Sequence, residues 1–116
     1  MKIQNNLPVA VCYCRVATTN QATGGASLDY QEYECKKAAK TDGFKKIKVI
    51  KDVMASGKDL KRKGIQEVIT LALNRKISAV YVAHSDRLTR NTVDHTYLRH
   101  TFRLNNVALK YVNGQI

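Results

Sequence analysis

The chain has 116 residues, the length of one domain, which excludes two globular units with separate cores. Apolar residues make up 44% of the chain and charged residues 25%, a balance that supports a folded core and excludes a disordered chain. The formal net charge of +11 at pH 7 favours a polyanionic partner such as nucleic acid, although solvated lysines alone could also produce the excess.

Membrane spans and export signals are not expected from the sequence. No stretch approaches the roughly 18 apolar residues of a membrane span, and the first eight residues, MKIQNNLP, lack the apolar run of a signal peptide. We therefore expect a cytoplasmic protein, of the bacterial or phage type and associated with the nucleoid, with no membrane partner.

The three cysteines predict buried free thiols. Their number is odd, and Cys12 and Cys14 lie within an apolar run over residues 9–14. A zinc site built from these two thiols, Cys35 and a histidine is the alternative, but no second pair of ligands stands at metal-binding spacing. We expect no metal and no cofactor.

The first half of the chain predicts a strand, a helix and a second strand. The apolar run PVAVCYC, residues 8–14, is typical of a strand covered on both faces. Ser27 as N-cap and Gly43 after the last turn predict a helix over residues 28–42. Residues 44–51 alternate apolar side chains with lysines, which favours a strand with one wetter face at the sheet edge.

The second half repeats this alternation. Helical spacing of apolar residues predicts a helix over 64–75, and ISAVYVA, residues 77–83, predicts a buried strand. A polar loop over 84–90 then precedes a helix. That helix carries one apolar stripe: Val93, Tyr97, Leu98 and Phe102.

A fourth strand, residues 107–112, completes the order βαβαβαβ. Helices between successive strands imply parallel strands joined by crossovers. We therefore predict an α/β fold, a three-layer sandwich around a mainly parallel sheet of four strands or more. His95 and His100 are expected at exposed helix positions without a special task.

Cationic residues follow the carboxyl ends of the predicted strands, where ligands bind in open parallel sheets. Arg15 follows strand 1, and Asp86, Arg87 and Arg90 follow strand 3. The loop after strand 2 adds one acid and several basic residues: Asp52, Lys58, Lys61, Arg62 and Lys63. Four arginines on one rim favour a phosphate ligand, because crowded guanidiniums need an anion between them.

The same arginines also fit a structural role without a bound anion. They could lie over the surface and pair with Asp52, Asp59 and Asp86. The lysines over residues 58–63 are expected to follow a DNA backbone without sequence specificity. Phosphate-binding and dinucleotide-binding glycine motifs are missing, and a response-regulator receiver would need an acidic pocket where Arg15 stands.

Four segments, in order, carry a resemblance to a known family. They are Tyr13-Cys-Arg15-Val-Ala17-Thr18, Ser27-Leu-Asp-Tyr-Gln31, Asp52 with Ser56-Gly57 and Arg62-Lys-Gly64, and Ser85-Asp86-Arg87-Leu88-Thr89-Arg90. Over residues 9–112, nearly the whole chain, the sequence resembles the catalytic domain of the serine recombinases, which comprise resolvases, invertases and large serine integrases. The resemblance implies the resolvase-like fold and site-specific DNA recombination.

The resemblance also exposes a missing atom. In the family's first motif, Tyr-x-Arg-x-Ser, the serine attacks a DNA phosphodiester and becomes linked to the 5′ phosphate, but this chain has Ala17 at that position. Thr18 is a poor substitute, because on an extended backbone it points away from the side occupied by residues 13, 15 and 17. We therefore expect no DNA cleavage, whether Ala17 is an engineered knock-out or a natural loss.

The remaining implied site residues are present. The resemblance assigns active-site positions to Arg15, Gln31, Asp52, Arg62, Asp86, Arg87 and Arg90. Guanidiniums can stabilise the charge that develops on a reacting phosphate, and no metal is implied. Asp86 either transfers a proton or positions a neighbouring arginine. Tyr13 is expected to be a core residue rather than a second nucleophile.

The resemblance finally suggests how the domain is used. Double-stranded DNA is the implied partner, and the full-length protein is expected to form a homodimer and a synaptic tetramer. Residues 1–116 are expected to be one catalytic domain, ending before a dimerisation helix and a DNA-recognition region. The alternative function is a non-enzymatic DNA-binding or regulatory relative that has lost the nucleophile.

Overall fold

The computed structural model describes residues 8–16, 27–53 and 60–113. Within these ranges the elements, in chain order, are β1 (Val9–Val16), α1 (Leu28–Thr41), β2 (Lys46–Val53), α2 (Lys63–Leu73), β3 (Ala79–Val82), α3 (Ser85–Leu88), α4 (Thr92–Leu104) and β4 (Ala108–Tyr111).

The four described strands form one parallel sheet in the order β2-β1-β3-β4. The predicted parallel α/β architecture is therefore confirmed, and so is the edge position of β2. Arg15 of β1 stands opposite Asp52 of β2, whereas the pairing between β1 and β3 ends at Cys12 and Tyr81.

Helices cover both faces of the sheet and make three layers. On one face, Cys12 packs with Cys35 and Ala39 of α1. On the opposite face, Val11 and Tyr13 share a buried cluster with side chains of α2 and α4. Because side chains alternate along a strand, Tyr13 and Arg15 project toward the α2 and α4 side.

The ends of α1 agree with the predicted signals. The Ser27 hydroxyl accepts a hydrogen bond from the Tyr30 backbone N–H at 3.1 Å, as an N-cap does. Gly43 follows the helix with a φ of +97°, in the left-handed region that favours glycine. The helix ends at Thr41, one residue before the predicted end.

The strands β1 and β2 each end two residues later than predicted, and one predicted loop is wrong. Continued pairing between β1 and β2 carries them to Val16 and Val53, so Arg15 and Asp52 lie inside strands rather than in the loops after them. The predicted loop over residues 84–90 contains the short helix α3, whose Leu88 is fully buried in the core. Burial of this one leucine ties the segment to the sheet.

The predicted apolar stripe of α4 is partly wrong. Leu98 and Phe102 are buried as expected, but Val93 is 75% exposed and Tyr97 is 46% exposed. Helical spacing alone did not reveal that neighbouring elements cover only part of this stripe. His95 also has a partner that was not predicted, because its Nε2 lies 2.7 Å from the Tyr111 hydroxyl.

The cysteines are buried and free of disulfides, as predicted. A hydrogen bond from the Cys35 thiol to Cys12, together with burial, raises the pKa of Cys35, and burial raises the pKa of Cys14 to about 12. Among the described residues, no group of three or more His, Cys, Asp and Glu side chains could hold a metal ion. No helix within those residues has the length and apolarity needed to cross a bilayer.

Candidate phosphate-binding site

The predicted site residues that the structure describes lie around the carboxyl ends of β1, β2 and β3. Arg15 and Asp52 are the next-to-last residues of β1 and β2, Arg62 is the residue immediately before α2, and Asp86 and Arg87 belong to α3. Sheet topology brings these elements together because the three strands are parallel and adjacent.

A buried carboxylate organises one side of the site. Asp52 is 7% exposed, and its Oδ1 accepts from the backbone N–H of Gly64 at 2.7 Å. Its Oδ2 accepts from the N–H of Ile65 at 2.9 Å and from the Tyr13 hydroxyl at 2.6 Å. Asp52 therefore caps the first turn of α2 from a neighbouring strand, where the helix dipole favours a negative charge.

Arg62 is held at two of its nitrogens. Its Nη1 donates to the Tyr13 hydroxyl at 2.6 Å, and its Nη2 donates to the Leu88 carbonyl at 2.9 Å. The side chain is buried, with the guanidinium carbon 5.8 Å from the centre of the Tyr13 ring. These contacts link β1, α2 and α3 through a single cation.

Arg15 is fully buried and supports α3. Its Nε donates to the Arg87 carbonyl at 3.2 Å, and its Nη2 donates to the Asp86 carbonyl at 2.5 Å. Burial is the main cause that lowers the pKa of Arg15, followed by the charge of Arg62 and then by Arg87 and Arg90. The charges of the other three arginines therefore all act on Arg15.

The side-chain amide of Gln31 clamps the end of β1. Its Oε1 accepts from the Arg15 backbone N–H, and its Nε2 donates to the Arg15 carbonyl, both at 3.1 Å. Gln31 is fully buried in α1 and acts here beyond the last residue pair between β1 and β3. It therefore holds the backbone that carries Arg15.

Arg87 has hydrogen-bonding capacity that the described residues do not meet. The residue is only 8% exposed, and its Nε and Nη1 are buried without a hydrogen-bond partner. A buried donor without an acceptor is costly, most of all on a charged group. Buried guanidinium donors without acceptors are candidates for binding an oxyanion, which accepts charge-assisted hydrogen bonds from arginine.

The outer part of the site is exposed and polar. Asp86 and Arg90 line an open groove of about 500 Å³, together with Asn91 and Thr92 at the start of α4. Lys61 and Lys63 are exposed beside Arg62. These cations are placed where they can meet a large anion without burying their charge.

Two predicted site residues, Ala17 and Lys58, lie outside the described residues, as does the alternative nucleophile Thr18. The bridging role of the Tyr13 hydroxyl and the contribution of the Leu88 carbonyl were missed by sequence reasoning. A signal for Tyr13 was available, since it stands two residues before Arg15 and therefore shares its face of the strand.

Comparison with known proteins identifies the family. A family model described as "Resolvase, N terminal domain" matches residues 10–116. The chain belongs to the resolvase family of serine recombinases. Its arginine cluster is thus part of a resolvase domain, and the resemblance predicted from the four segments is confirmed.

The relatives of this resolvase domain are longer proteins. "Putative resolvase L103" of Acanthamoeba polyphaga mimivirus is 30% identical over 89 residues, which are 76% of this chain and 41% of that protein. "Putative DNA recombinase" of Bacillus subtilis (strain 168) is 33% identical over 103 residues, 89% of this chain and 20% of that protein. The resolvase domain therefore spans less than half the length of either relative.

Solved structures agree with the fold of the resolvase domain. The N-terminal catalytic domain of TP901-1 integrase matches with a TM-score of 0.82 and 33% identity, over 90% of this chain and 78% of that one. The C-terminal catalytic domain of ISC1926 TnpA, an IS607-like serine recombinase, matches with a TM-score of 0.80 and 31% identity, over 92% and 69% of the two chains. These matches confirm the predicted resolvase-like fold.

Proposed function

We propose that this domain binds a DNA phosphodiester at its arginine cluster and is the catalytic domain of a site-specific DNA recombinase. The observation that carries the proposal is Arg87, whose Nε and Nη1 are buried and have no hydrogen-bond partner among the described residues. Arg87 also lies in a cluster of cations, since its charge acts on Arg15 together with those of Arg62 and Arg90. A phosphate supplies acceptor oxygens for this buried guanidinium and offsets the repulsion among the cations.

Each residue of the cluster then has a distinct task. Arg87 binds nonbridging phosphate oxygens, and Arg90 with the exposed lysines meets the neighbouring DNA backbone. Arg15 donates hydrogen bonds to the Asp86 and Arg87 carbonyls, and so fixes α3, the helix that presents Arg87 to the phosphate. Asp86 is exposed beside Arg90, and its carboxylate either transfers a proton during the reaction or positions a neighbouring arginine.

Cleavage in such an enzyme requires a hydroxyl at position 17. The serine oxygen would attack phosphorus, the bond to the 3′ oxygen would break, and the protein would remain linked to the 5′ phosphate. Ala17 has no oxygen, so this chain binds DNA but does not cut it. The second candidate function, a DNA-binding regulator, is favoured by this alanine alone.

DNA binding tests the arginine cluster in the chain as it stands. We expect weak, nonspecific binding of a short duplex that falls steeply with salt, measured by fluorescence anisotropy over a KCl series. Arg87→Met should weaken binding several-fold at low salt and reduce the slope of log K against log salt by about one. Arg103→Met is the matched control, because it removes the same charge from an exposed position in the last turn of α4.

The stability of Arg87→Met should change in the opposite direction from its affinity for DNA. Replacing a buried guanidinium that has two nitrogens without partners by a side chain of similar volume should raise the free energy of unfolding by about 1 kcal/mol in phosphate-free buffer. Equal loss of DNA binding in Arg87→Met and Arg103→Met would show that total charge, not the cluster, binds DNA. A large loss of stability in Arg87→Met would show that this guanidinium supports the fold.

Restoring the nucleophile separates enzyme from regulator. In the full-length protein that carries this domain, Ala17→Ser should form a covalent adduct at the 5′ phosphate and release a 3′ hydroxyl. Adding Arg87→Met should leave DNA binding measurable but lower cleavage by at least about 100-fold. An Ala17→Ser protein that binds and assembles on its site without forming an adduct would favour the regulator, and an adduct with Ala17 unchanged would identify another nucleophile.

A further inference from the structure

We propose that Tyr13 and Asp52 are positioning residues for Arg62, with the Tyr13 hydroxyl as an uncharged bridge between a carboxylate that caps α2 and a cation that faces the phosphate. This inference rests on the proposed function, since it assigns Arg62 to the reacting phosphate. It concerns three residues that stand far apart in sequence and meet through hydrogen bonds of 2.6 Å.

Asp52 determines where α2 begins. Its two carboxylate oxygens accept from the backbone N–H groups of Gly64 and Ile65, the second and third residues of the helix. Arg62 occupies the N-cap position but makes no side-chain cap of its own, so Asp52 performs that task from β2. The backbone of Arg62 is thereby set relative to the sheet, and its side chain is left for another use.

Tyr13 orients the end of the Arg62 side chain. The hydroxyl has one proton, which it donates to Asp52, and its oxygen accepts from Arg62 Nη1. Burial, and then the hydrogen bond to Asp52, raises the pKa of Tyr13, which keeps the phenol neutral. A carboxylate in the place of this oxygen would also orient Arg62 but would neutralise its charge, whereas a phenol orients it without doing so.

The Leu88 carbonyl completes the arrangement from the opposite side. It accepts from Arg62 Nη2 at 2.9 Å and belongs to α3, the helix that also carries Arg87. Arg62 is thus fixed relative to both the sheet and the phosphate-facing turn. Preorganised donors lose less free energy to reorientation when charge develops on the substrate, so loss of this bridge should slow the chemical step more than it weakens DNA binding.

A double-mutant cycle on cleavage tests the bridge. In the full-length Ala17→Ser protein, Tyr13→Phe removes only the hydroxyl oxygen and should lower the cleavage rate at saturating DNA by about 10-fold, with the Kd for DNA changed less than about 2-fold. In an Arg62→Ala background the same change should have almost no further effect, because the group that it positions is gone. Equal, multiplying effects in both backgrounds would mean that Tyr13 acts on the fold alone.

A second measurement does not depend on cleavage. Nitrogen-15 NMR of the 116-residue chain should show slow rotation about the Nε–Cζ bond of Arg62, and Tyr13→Phe should make that rotation faster. Tyr111→Phe is the control, because it removes a part-buried phenol hydroxyl that bonds His95 instead. Fast rotation of Arg62 in the parent chain would overturn the proposal even if Tyr13→Phe did not fold. An Ala17→Ser protein that fails to cleave while Arg62 remains ordered would refute the proposed function and leave the positioning role supported.

Discussion

Replacing Gly64 with alanine should destabilise the domain, although alanine normally favours a helix. A Cβ atom at this position would lie 2.7 Å from Asp52 Oδ2 and 2.8 Å from both Cγ and Oδ1. Nonbonded heavy atoms pack at about 3.5 Å, so the carboxylate or the start of α2 must move. Asp52 cannot move freely, because Gly64, Ile65 and Tyr13 all donate hydrogen bonds to it.

The expected magnitude follows from those contacts. Hydrogen bonds to a charged group contribute about 1.5–3 kcal/mol each, and a shift of several tenths of an ångström weakens all three without removing them. Alanine in a helix recovers about 0.5–1 kcal/mol relative to glycine. We expect Gly64→Ala to lower the free energy of unfolding by about 2 kcal/mol and the Tm by about 10 °C.

Urea unfolding followed by circular dichroism measures this change. Lys63→Ala, at the exposed neighbouring helix position, is the control and should change the stability by less than about 0.5 kcal/mol. In an Asp52→Ala background the clash is gone, so Gly64→Ala should become neutral or stabilising. A Gly64→Ala protein as stable as its parent would refute the close approach of Asp52 to the helix.

Three further outcomes are expected elsewhere in the domain. Burial raises the pKa of Cys14 from 9.0 to about 12, so the folded chain holds far less of the reactive thiolate at pH 8 than the unfolded chain. Alkylation of Cys14 by iodoacetamide at pH 8, mapped by mass spectrometry, should therefore be about 1000-fold slower in the folded chain than in urea. Comparable rates would contradict the burial of this thiol. A hydrogen bond from Lys51 lowers the pKa of Glu32 in the folded chain. This ion pair contributes under about 1 kcal/mol to the free energy of unfolding, and the contribution is present above pH 4.5 and lost as the pH falls through the pKa of Glu32 in the folded state. The difference in urea midpoint between Glu32→Gln and the parent should therefore shrink in acid, and a pH-independent difference would exclude the ion pair as its source. Leu98→Ala should lower the free energy of unfolding in urea by about 2–4 kcal/mol, because the side chain is fully buried. Leu104→Ala, at a position that is 61% exposed, should lower it by less than about 0.5 kcal/mol. Similar losses in the two variants would mean that α4 packs differently.

Local patterns were sufficient for the elements and for the general location of the site. A continuous apolar run predicts a covered strand, and the cap at Ser27 with the turn at Gly43 delimits a helix, because these signals act between neighbouring residues. Parallel strand order then places Arg87 and Arg62 at one rim without knowledge of any contact. Similar reasoning failed for Val93 and Tyr97, since periodicity identifies a stripe but not what covers it.

The sequence by itself therefore determined the fold class, the family motifs and the lack of a hydroxyl at position 17. Tertiary structure alone decided that Asp52 caps a helix, that Tyr13 links it to Arg62, and that Arg87 keeps two buried nitrogens without partners. The physical reason is the range of the interactions: Tyr13 meets residues 39 and 49 positions away, and such partners depend on how strands and helices pack. Hydrogen-bond satisfaction, unlike helical or strand periodicity, leaves no repeating pattern in a sequence.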